Sequence, residues 1–385
     1  MPTRVFGERE LELLREVLRS GNLSSLGGGT MTSRFEAEFA RALGAKHGVA
    51  MNAAMSVLHA SVAAAGAGAG TEVICDPVCV FGAVATMYHN AVPVFVDIDP
   101  YTMNMDPEQI EAKISERTKA IVVTHLWGMP APIDRIVEIA HRHGLIVIED
   151  CAHALLATYK GKCVGTWGDI GSFSFQMSKQ LGLGDGGMGV TNSDELAAAL
   201  GLHGGAPTFT AVAHGLHWNY RMTEQTAAIG IAQLERAPAI MEELIAIARL
   251  YDQAVEGCPW LIPQRGPGDH QSTYHFWAAG FWGDKHGITR ADFQRVLAEE
   301  GCGLTMGYTG MPAYKHPLLQ ERWGYPKGCP LDCPRYTGSG NRYPDGLCPV
   351  AEDVIPRIVL AYTFSEKEGH ERAAEALRRA ITRLS

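Results

Sequence analysis

A chain of 385 residues with 46% hydrophobic content can bury a large core, and its length exceeds the usual size of one domain, so two domains are expected. A formal net charge of −9 and the lack of a basic tract argue against a nucleic-acid partner. No apolar run reaches membrane-spanning length and the first seven residues carry no long apolar core, so no membrane contact is expected and the expected compartment is the cytoplasm.

Gly27-Gly-Gly29 has no strand before it and is expected to shape a mobile loop beside a site. Gly66-Ala-Gly-Ala-Gly70 precedes its strand instead of following it, so it fails the strand-loop-helix context of a dinucleotide-binding turn and excludes a Rossmann dehydrogenase. From Glu72 to Asp150, apolar strands (Val73-Ile-Cys75, Val94-Phe-Val96, Ala120-Ile-Val-Val123, Leu145-Ile-Val-Ile148) alternate with segments of helical period at Asp106 to Lys113 and Pro132 to Ala140. Asp106 before Pro107 predicts an N-cap and a first-turn proline. This alternation predicts an α/β fold with a mostly parallel sheet covered by helices on both faces. Thr223 to Arg249 reads as a long helix leading to a second domain, in which Thr273 to Phe281 is strand-like and Glu366 to Leu384 is a terminal helix. The expected division is a large domain over 1–235 and a smaller α+β domain over 236–385.

Nine cysteines, an odd count, predict free thiols. Cys75, Cys79, Cys151 and Cys163 lie in strand-like or motif segments where a thiol packs as a small apolar group. The late group Cys302, Cys329, Cys333 and Cys348 lacks a standard zinc spacing, so it reads as packing and no metal is expected.

The chemistry concentrates in Asp150-Cys-Ala-His153, Gly171-Ser-Phe-Ser-Phe-Gln-Met-Ser-Lys179 and Gly184-Asp-Gly-Gly187. Pyridoxal 5′-phosphate (PLP) needs a lysine for its aldehyde, a carboxylate to keep the pyridine nitrogen protonated, hydroxyls and amides for its phosphate, and a flat group over its ring. Ile146 to Asp150 is an apolar run that stops at a carboxylate, as a parallel strand does at a site, which makes Asp150 the candidate pyridinium partner. Gly168 to Phe175 reads as a second strand carrying a phosphate-type serine. Lys179 follows it on a loop made flexible by Gly182, Gly184, Gly186 and Gly187. A strand-terminal Asp is often only a helix cap and a lone lysine only a solvated loop residue. Together in this order they suit an aldehyde cofactor.

With these blocks in view the chain resembles the DegT/DnrJ/EryC1/StrS sugar aminotransferases, PLP enzymes of the aspartate aminotransferase fold. The likeness runs almost end to end: Arg34-Phe-Glu-Ala-Glu-Phe39 with Leu43 to His47, Pro93 to Asp99, Thr124 to Ala131, Val147 to Asn192, Asn219-Tyr-Arg-Met-Thr-Glu224 and Cys348 to Glu352 are all similar to family blocks. It implies PLP-dependent transferase fold type I, with a seven-stranded sheet domain and a smaller C-terminal domain. It also implies Lys179 as the Schiff-base lysine, Asp150 at the pyridine nitrogen, His153 on the 3-hydroxyl side, Ser174 at the phosphate and Phe81 stacked on the ring. Asn219 matches an asparagine that reaches the phosphate from the neighbouring subunit, which implies a homodimer with shared active sites. Two positions depart from the family pattern. Met55 stands where a hydroxyl residue is usual, leaving the phosphate to the backbone N–H groups of Met55 and Ser56, with the Ser56 hydroxyl as further help. Val80 replaces a common threonine.

The implied reaction takes an amino group from L-glutamate or L-glutamine, with the Lys179 amine removing the donor's α-proton and returning it to the cofactor. The acceptor is a nucleotide-linked keto-sugar or a cyclitol ketone, in secondary-metabolite, antibiotic or cell-surface sugar biosynthesis. Candidate acceptor contacts lie on loops at Gly27 to Thr32, His203 to Thr210 and Tyr308 to Tyr325, with Lys315, His316 and Arg322, and Trp167, Trp218, Tyr220 and Tyr308 offer rings to stack on. Rival readings are a PLP sugar dehydratase, which the lysine counts against, an aromatising amino-shikimate-type synthase, and a non-catalytic PLP-binding regulator.

Overall fold

Short apolar strands that alternate with amphipathic helices pack as a parallel sheet because both sheet faces then find cover. The computed structural model, which describes residues 5–26, 28–205, 217–321, 329–336, 343–364 and 366–385, has this architecture. Seven strands, β1 (His47–Met51), β2 (Glu72–Cys75), β3 (Val92–Phe95), β4 (Thr118–Thr124), β5 (Ile146–Asp150), β6 (Ile170–Ser174) and β7 (Gly187–Thr191), form one sheet in the order β1-β7-β6-β5-β4-β2-β3. The run from β6 to β3 is parallel throughout, and β7 alone runs against its two neighbours.

Alternate residues of the central strands point to opposite cores, as the pleat requires. Ile74, Ile121, Val123 and Val147 share one core with residues of α1 (Glu8–Ser20), α2 (Thr30–Leu43), the later helix Ile133–Arg142 and the long helix Glu224–Ala254. Val73, Cys75, Ala120, Val122 and Ile148 share the other core with α3 (Ala54–Ala64) and α4 (Phe81–Tyr88). Phe35 and Phe39 of α2 meet Phe173 and Phe175 with ring centroids 5.2 to 5.4 Å apart across the pairs. Each of these rings, fully buried, contributes about 2 kcal/mol of apolar burial.

A second, four-stranded antiparallel sheet joins Leu261–Pro263, Phe276–Phe281, Ile358–Tyr362 and Thr305–Met306 in that order. The helix Glu224–Ala254 links the two layers. Its first half meets the N-terminal helix, where Gln233 Nε2 donates to Glu10 at 2.8 Å, and its second half meets the terminal helix Lys367–Leu384, where the Tyr251 hydroxyl and His370 Nδ1 lie 2.9 Å apart. The expected domain boundary at 235/236 falls inside this helix.

Two elements differ from the sequence expectation. Asp106 to Lys113 is not an α-helix but two 3₁₀ turns, Pro107–Gln109 and Glu111–Lys113. Only Ile110 is buried there, so no apolar stripe offsets the cost of nucleating a helix. Asp106 does cap the first turn, accepting from Glu108 N–H at 3.0 Å. The strand expected from Thr273 begins only at Phe276. The Thr273 N–H donates instead to the Gly128 carbonyl at 3.2 Å, and Tyr274 has φ +44°, so these residues bind the large domain rather than a sheet neighbour. Gly128 permits that crossing: a Cβ there would lie 2.5 Å from Tyr274 N.

Candidate active site

Ligand sites of open parallel sheets form beyond the carboxyl ends of the strands. Here a cavity of about 350 Å³ lies at that edge, lined by Met55, Phe81, Asp150, His153, Ser174 and Lys179 together with Ala53, Ala54, Cys79, Thr124, Gln176, Ser178 and Asp185. Six of the eight residues singled out from the sequence thus converge from four separate stretches of chain. Ser56 does not line the cavity: its hydroxyl donates to Asn52 Oδ1 at 2.6 Å and its N–H to the Ala53 carbonyl at 3.1 Å. Asn219 is exposed and does not line this chain's own cavity.

Asp150 ends β5 and is 1% exposed. It accepts the Ala152 N–H at 3.1 Å, and burial pushes its carboxyl up, while that backbone bond and the charge of Lys179 oppose the rise. Lys179 stands on the turn after β6, where burial lowers its amine and Asp150 raises it. The turn is held rather than loose. The Met177 N–H donates to the Gly184 carbonyl at 2.7 Å and the Phe175 N–H to that of Gly186 at 2.8 Å. Gly182 and Gly187 serve close approach, since a Cβ there would lie 2.7 Å from the Met177 carbonyl oxygen and 2.5 Å from the Ala53 carbonyl carbon, and Gly184 supplies a φ of +92°.

Gln180, which sequence reasoning passed over, anchors the lysine turn on both sides. Its Oε1 accepts the Leu155 N–H at 3.1 Å, and its Nε2 donates to Thr273 O at 3.0 Å and Thr273 Oγ1 at 2.9 Å. The turn is therefore tied to the Asp150–His153 segment and to the crossing chain of the small domain. His153 stacks on His275 at 4.5 Å and 13°, and its Nδ1 accepts the Trp127 N–H at 3.4 Å. Burial and Lys179 hold its pKa well below the usual histidine value, so the ring is neutral with its proton on Nε2.

Helix α3 starts at the cavity, and its N-cap Ala53 offers no side-chain bond, so the N–H groups of Ala54 and Met55 can take an anion. Phe81 opens α4 with an exposed ring, and Ser174 ends β6. A carboxylate, an amine, a hydroxyl, helix N–H groups and an aromatic ring are together the donor set that an anionic aromatic aldehyde requires.

The loop candidates divide differently. Gly28 and Gly29 lie on a separate cavity with Glu36 and Arg221, and Gly29 packs on Glu224, whose carboxylate accepts the Met31 and Thr32 N–H groups at 2.8 and 3.0 Å. Lys315 is committed to Asp345 and Glu352 at 2.9 and 3.0 Å. Tyr308 packs edge-on against Trp127, 5.3 Å between centroids. Gly27, residues 206–210 and Arg322 lie outside the described residues.

All nine cysteines are free thiols. Among the described residues His125, Glu149 and Cys151 bring ligand-type atoms within 4.8 Å, and two of the three are engaged in hydrogen bonds. His125 Nδ1 accepts the Ala131 N–H at 2.9 Å and Nε2 meets Glu149 at 2.9 Å, while Glu149 also accepts the N–H groups of Gly165 and Gly168, both at 2.7 Å. The His125 and Glu149 atoms thereby join the ends of β4 and β5 to the 165–168 turn.

Residues 5–332 match the DegT/DnrJ/EryC1/StrS aminotransferase family. The spore coat polysaccharide biosynthesis protein SpsC of Bacillus subtilis (strain 168) is 35% identical over 336 residues, covering 83% of this chain and 85% of that protein. A Streptoalloteichus tenebrarius protein, provisionally named an L-glutamine:3-amino-2,3-dideoxy-scyllo-inosose aminotransferase, is 44% identical over 241 residues, covering 60% of this chain and 57% of that protein. The crystal structure of DesI in the presence of its TDP-sugar product superimposes with a TM-score of 0.80 at 28% identity, covering 99% of this chain and 91% of that one. The sheet order, the lysine-bearing turn and these similarities agree, and the chain belongs to the DegT/DnrJ/EryC1/StrS aminotransferase family.

Proposed function

We propose that this aminotransferase binds PLP in the Lys179 cavity and moves the amino group of L-glutamate or L-glutamine to a ketone on a nucleotide-linked sugar or a cyclitol. The observation that carries the cofactor is the pairing of the buried Asp150 carboxylate with the Lys179 amine in one cavity whose remaining wall carries Ser174, the uncapped start of α3 and the Phe81 ring. The names of the relatives, one a cyclitol aminotransferase and one solved with a TDP-sugar, support the two acceptor classes. Among the described residues no helix is long and apolar enough to cross a membrane, in keeping with the cytoplasm as the proposed compartment.

Bound PLP supplies an electron sink for the pair of electrons left when the donor's α-proton departs. The chain's own groups do the rest. Asp150 holds a proton on the ring nitrogen by its charge. Lys179 Nζ is the group that carries a proton between the donor's α-carbon and the cofactor, and its lowered pKa keeps a larger share of amine in the basic form. The Ala54 and Met55 N–H groups at the start of α3 and the Ser174 hydroxyl would hold the phosphate, Phe81 would cover one ring face, and neutral His153 would offer its Nε2–H to the 3-hydroxyl. Absorbance of the purified protein, titrated with L-glutamate and then L-glutamine, tests this. A band at the visible edge that converts with one donor is expected, and no band after PLP is added would sink the reading.

The site is proposed to be completed in a homodimer. Asn219 is exposed on a segment held to the start of α3 by the Asn52 N–H on the Tyr220 carbonyl at 2.6 Å, a position from which it can serve a second copy. Loss of one hydrogen bond to a phosphate weakens binding by roughly tenfold or more. Asn219→Ala is expected to weaken PLP retention by that factor in dialysis of the dimer. A monomer that retains PLP as well as the dimer does would refute the shared site.

A further inference from the structure

Asp76 follows β2 at the same sheet edge as Asp150, and the roles above do not use it. It is 2% exposed. Its Oδ2 accepts the Thr124 hydroxyl at 2.6 Å, and its Oδ1 accepts the N–H groups of Val78 and Cys79 at 2.9 and 2.7 Å. Thr124 is in turn the register partner of Asp150 between β4 and β5, and it lines the Lys179 cavity. Asp76, Thr124 and Asp150 therefore stand side by side at the carboxyl ends of three neighbouring strands, with Thr124, hydrogen-bonded to Asp76, between the two acids.

A second buried acid beside Asp150 is costly unless a positive charge joins the pair. The groups that face Asp76 are neutral or acidic: the Thr124 hydroxyl, two backbone N–H groups, Asp150, and, within electrostatic range, the Cys75, Cys79 and Cys348 thiols and the Tyr308 phenol. Burial pushes Asp76 up to about 6, against the pull of its three hydrogen bonds, with Asp150 adding to the rise. Lys179 supplies one positive charge, which acts on Asp150 and not on Asp76, so the row of acids suits a second cation bound in the cavity at Asp150.

We infer that Asp76 is a positioning residue for the transamination: a second carboxylate that acts through Thr124 and Asp150 to hold the proton on the ring nitrogen of the cofactor. The inference rests on the PLP reading above. Its charge raises the proton affinity of the nitrogen without touching it. The support is present where Asp76 is ionised, above about pH 6 in the empty cavity, and is lost as pH falls through that value; a bound pyridinium moves the loss lower still.

The test is the protonation state of PLP labelled with ¹⁵N at the ring nitrogen, followed by NMR against pH in the reconstituted holoenzyme. Asp76→Asn keeps an acceptor for the Val78 and Cys79 N–H groups and a partner for Thr124, and removes only the charge. It is expected to lower the apparent pKa of the ring nitrogen by about one unit or more, with little change in melting temperature, while Asp76→Glu keeps the wild-type profile. Superimposed profiles for wild type and Asp76→Asn would overturn the inference, as would an Asp76→Glu profile shifted as far as that of Asp76→Asn. If Asp76→Asn does not fold, Thr124→Val takes its place: loss of the hydroxyl leaves Asp76 more protonated and shifts the nitrogen the same way, and no shift overturns the inference. A wild type that takes up no PLP overturns the cofactor reading as well; a wild type that takes it up with an unmoved Asp76→Asn profile overturns this inference alone.

Discussion

Lys179→Ala is expected to remove turnover by roughly a thousandfold or more while the protein still folds. Two separate losses combine. The amine is the group placed to move the α-proton, and general base catalysis by one positioned side chain is worth about 10²–10⁴-fold. The same amine is the proposed covalent anchor for the cofactor aldehyde. Folding is expected to be spared because backbone bonds and Gln180 hold the turn. Removing a partly buried amine also takes away a desolvation penalty. The readouts are the visible-edge absorbance and the rate of a single half reaction with the amino donor. An unchanged absorbance would mean that another amine holds the cofactor.

Asp150→Asn is expected to slow the same half reaction by roughly 10²–10³-fold, the loss that follows when one preorganised charge facing a transition state is removed. Asparagine is isosteric and can accept the Ala152 N–H as Asp150 does, so the end of β5 keeps its geometry. A neutral amide is also less costly to bury than a carboxylate at a position 1% exposed, so melting temperature is expected to hold or rise. PLP binding should persist through Ser174 and α3, which separates this variant from a binding defect. A near-normal rate would show that a different acid serves the ring nitrogen, and Asp76 is the neighbour to test next.

Much of the site was legible because it lies in short continuous blocks. Asp150 and Lys179 were recognisable from a strand that stops at an acid and a glycine-bounded turn that carries one lysine. Ser56 was not: whether a hydroxyl near a helix start faces a ligand or its own chain depends on the rotamer, and here Asn52 claims it. Gln180 and Asp76 gave little signal, since a polar residue beside a motif is usually solvated. Only the crossing of Thr273 under Gly128, and the pairing of Thr124 with Asp150, brings their partners within reach.

By itself the sequence determined the βα alternation, the cofactor-type residues and the family, because hydrophobic period and turn chemistry are local and survive reading one segment at a time. The tertiary structure decided which of these residues meet. Strand order sets β4 between β2 and β5 although the ends of β2 and β5, Cys75 and Asp150, lie 75 residues apart in the chain, so Asp76, Thr124 and Asp150 become neighbours through long-range pairing that no local pattern encodes. It also decided the states of the groups. The raised acids, the lowered lysine and the neutral His153 follow from burial and from charges brought together by the fold, and solvent exclusion is a property of the packed chain rather than of any residue in it.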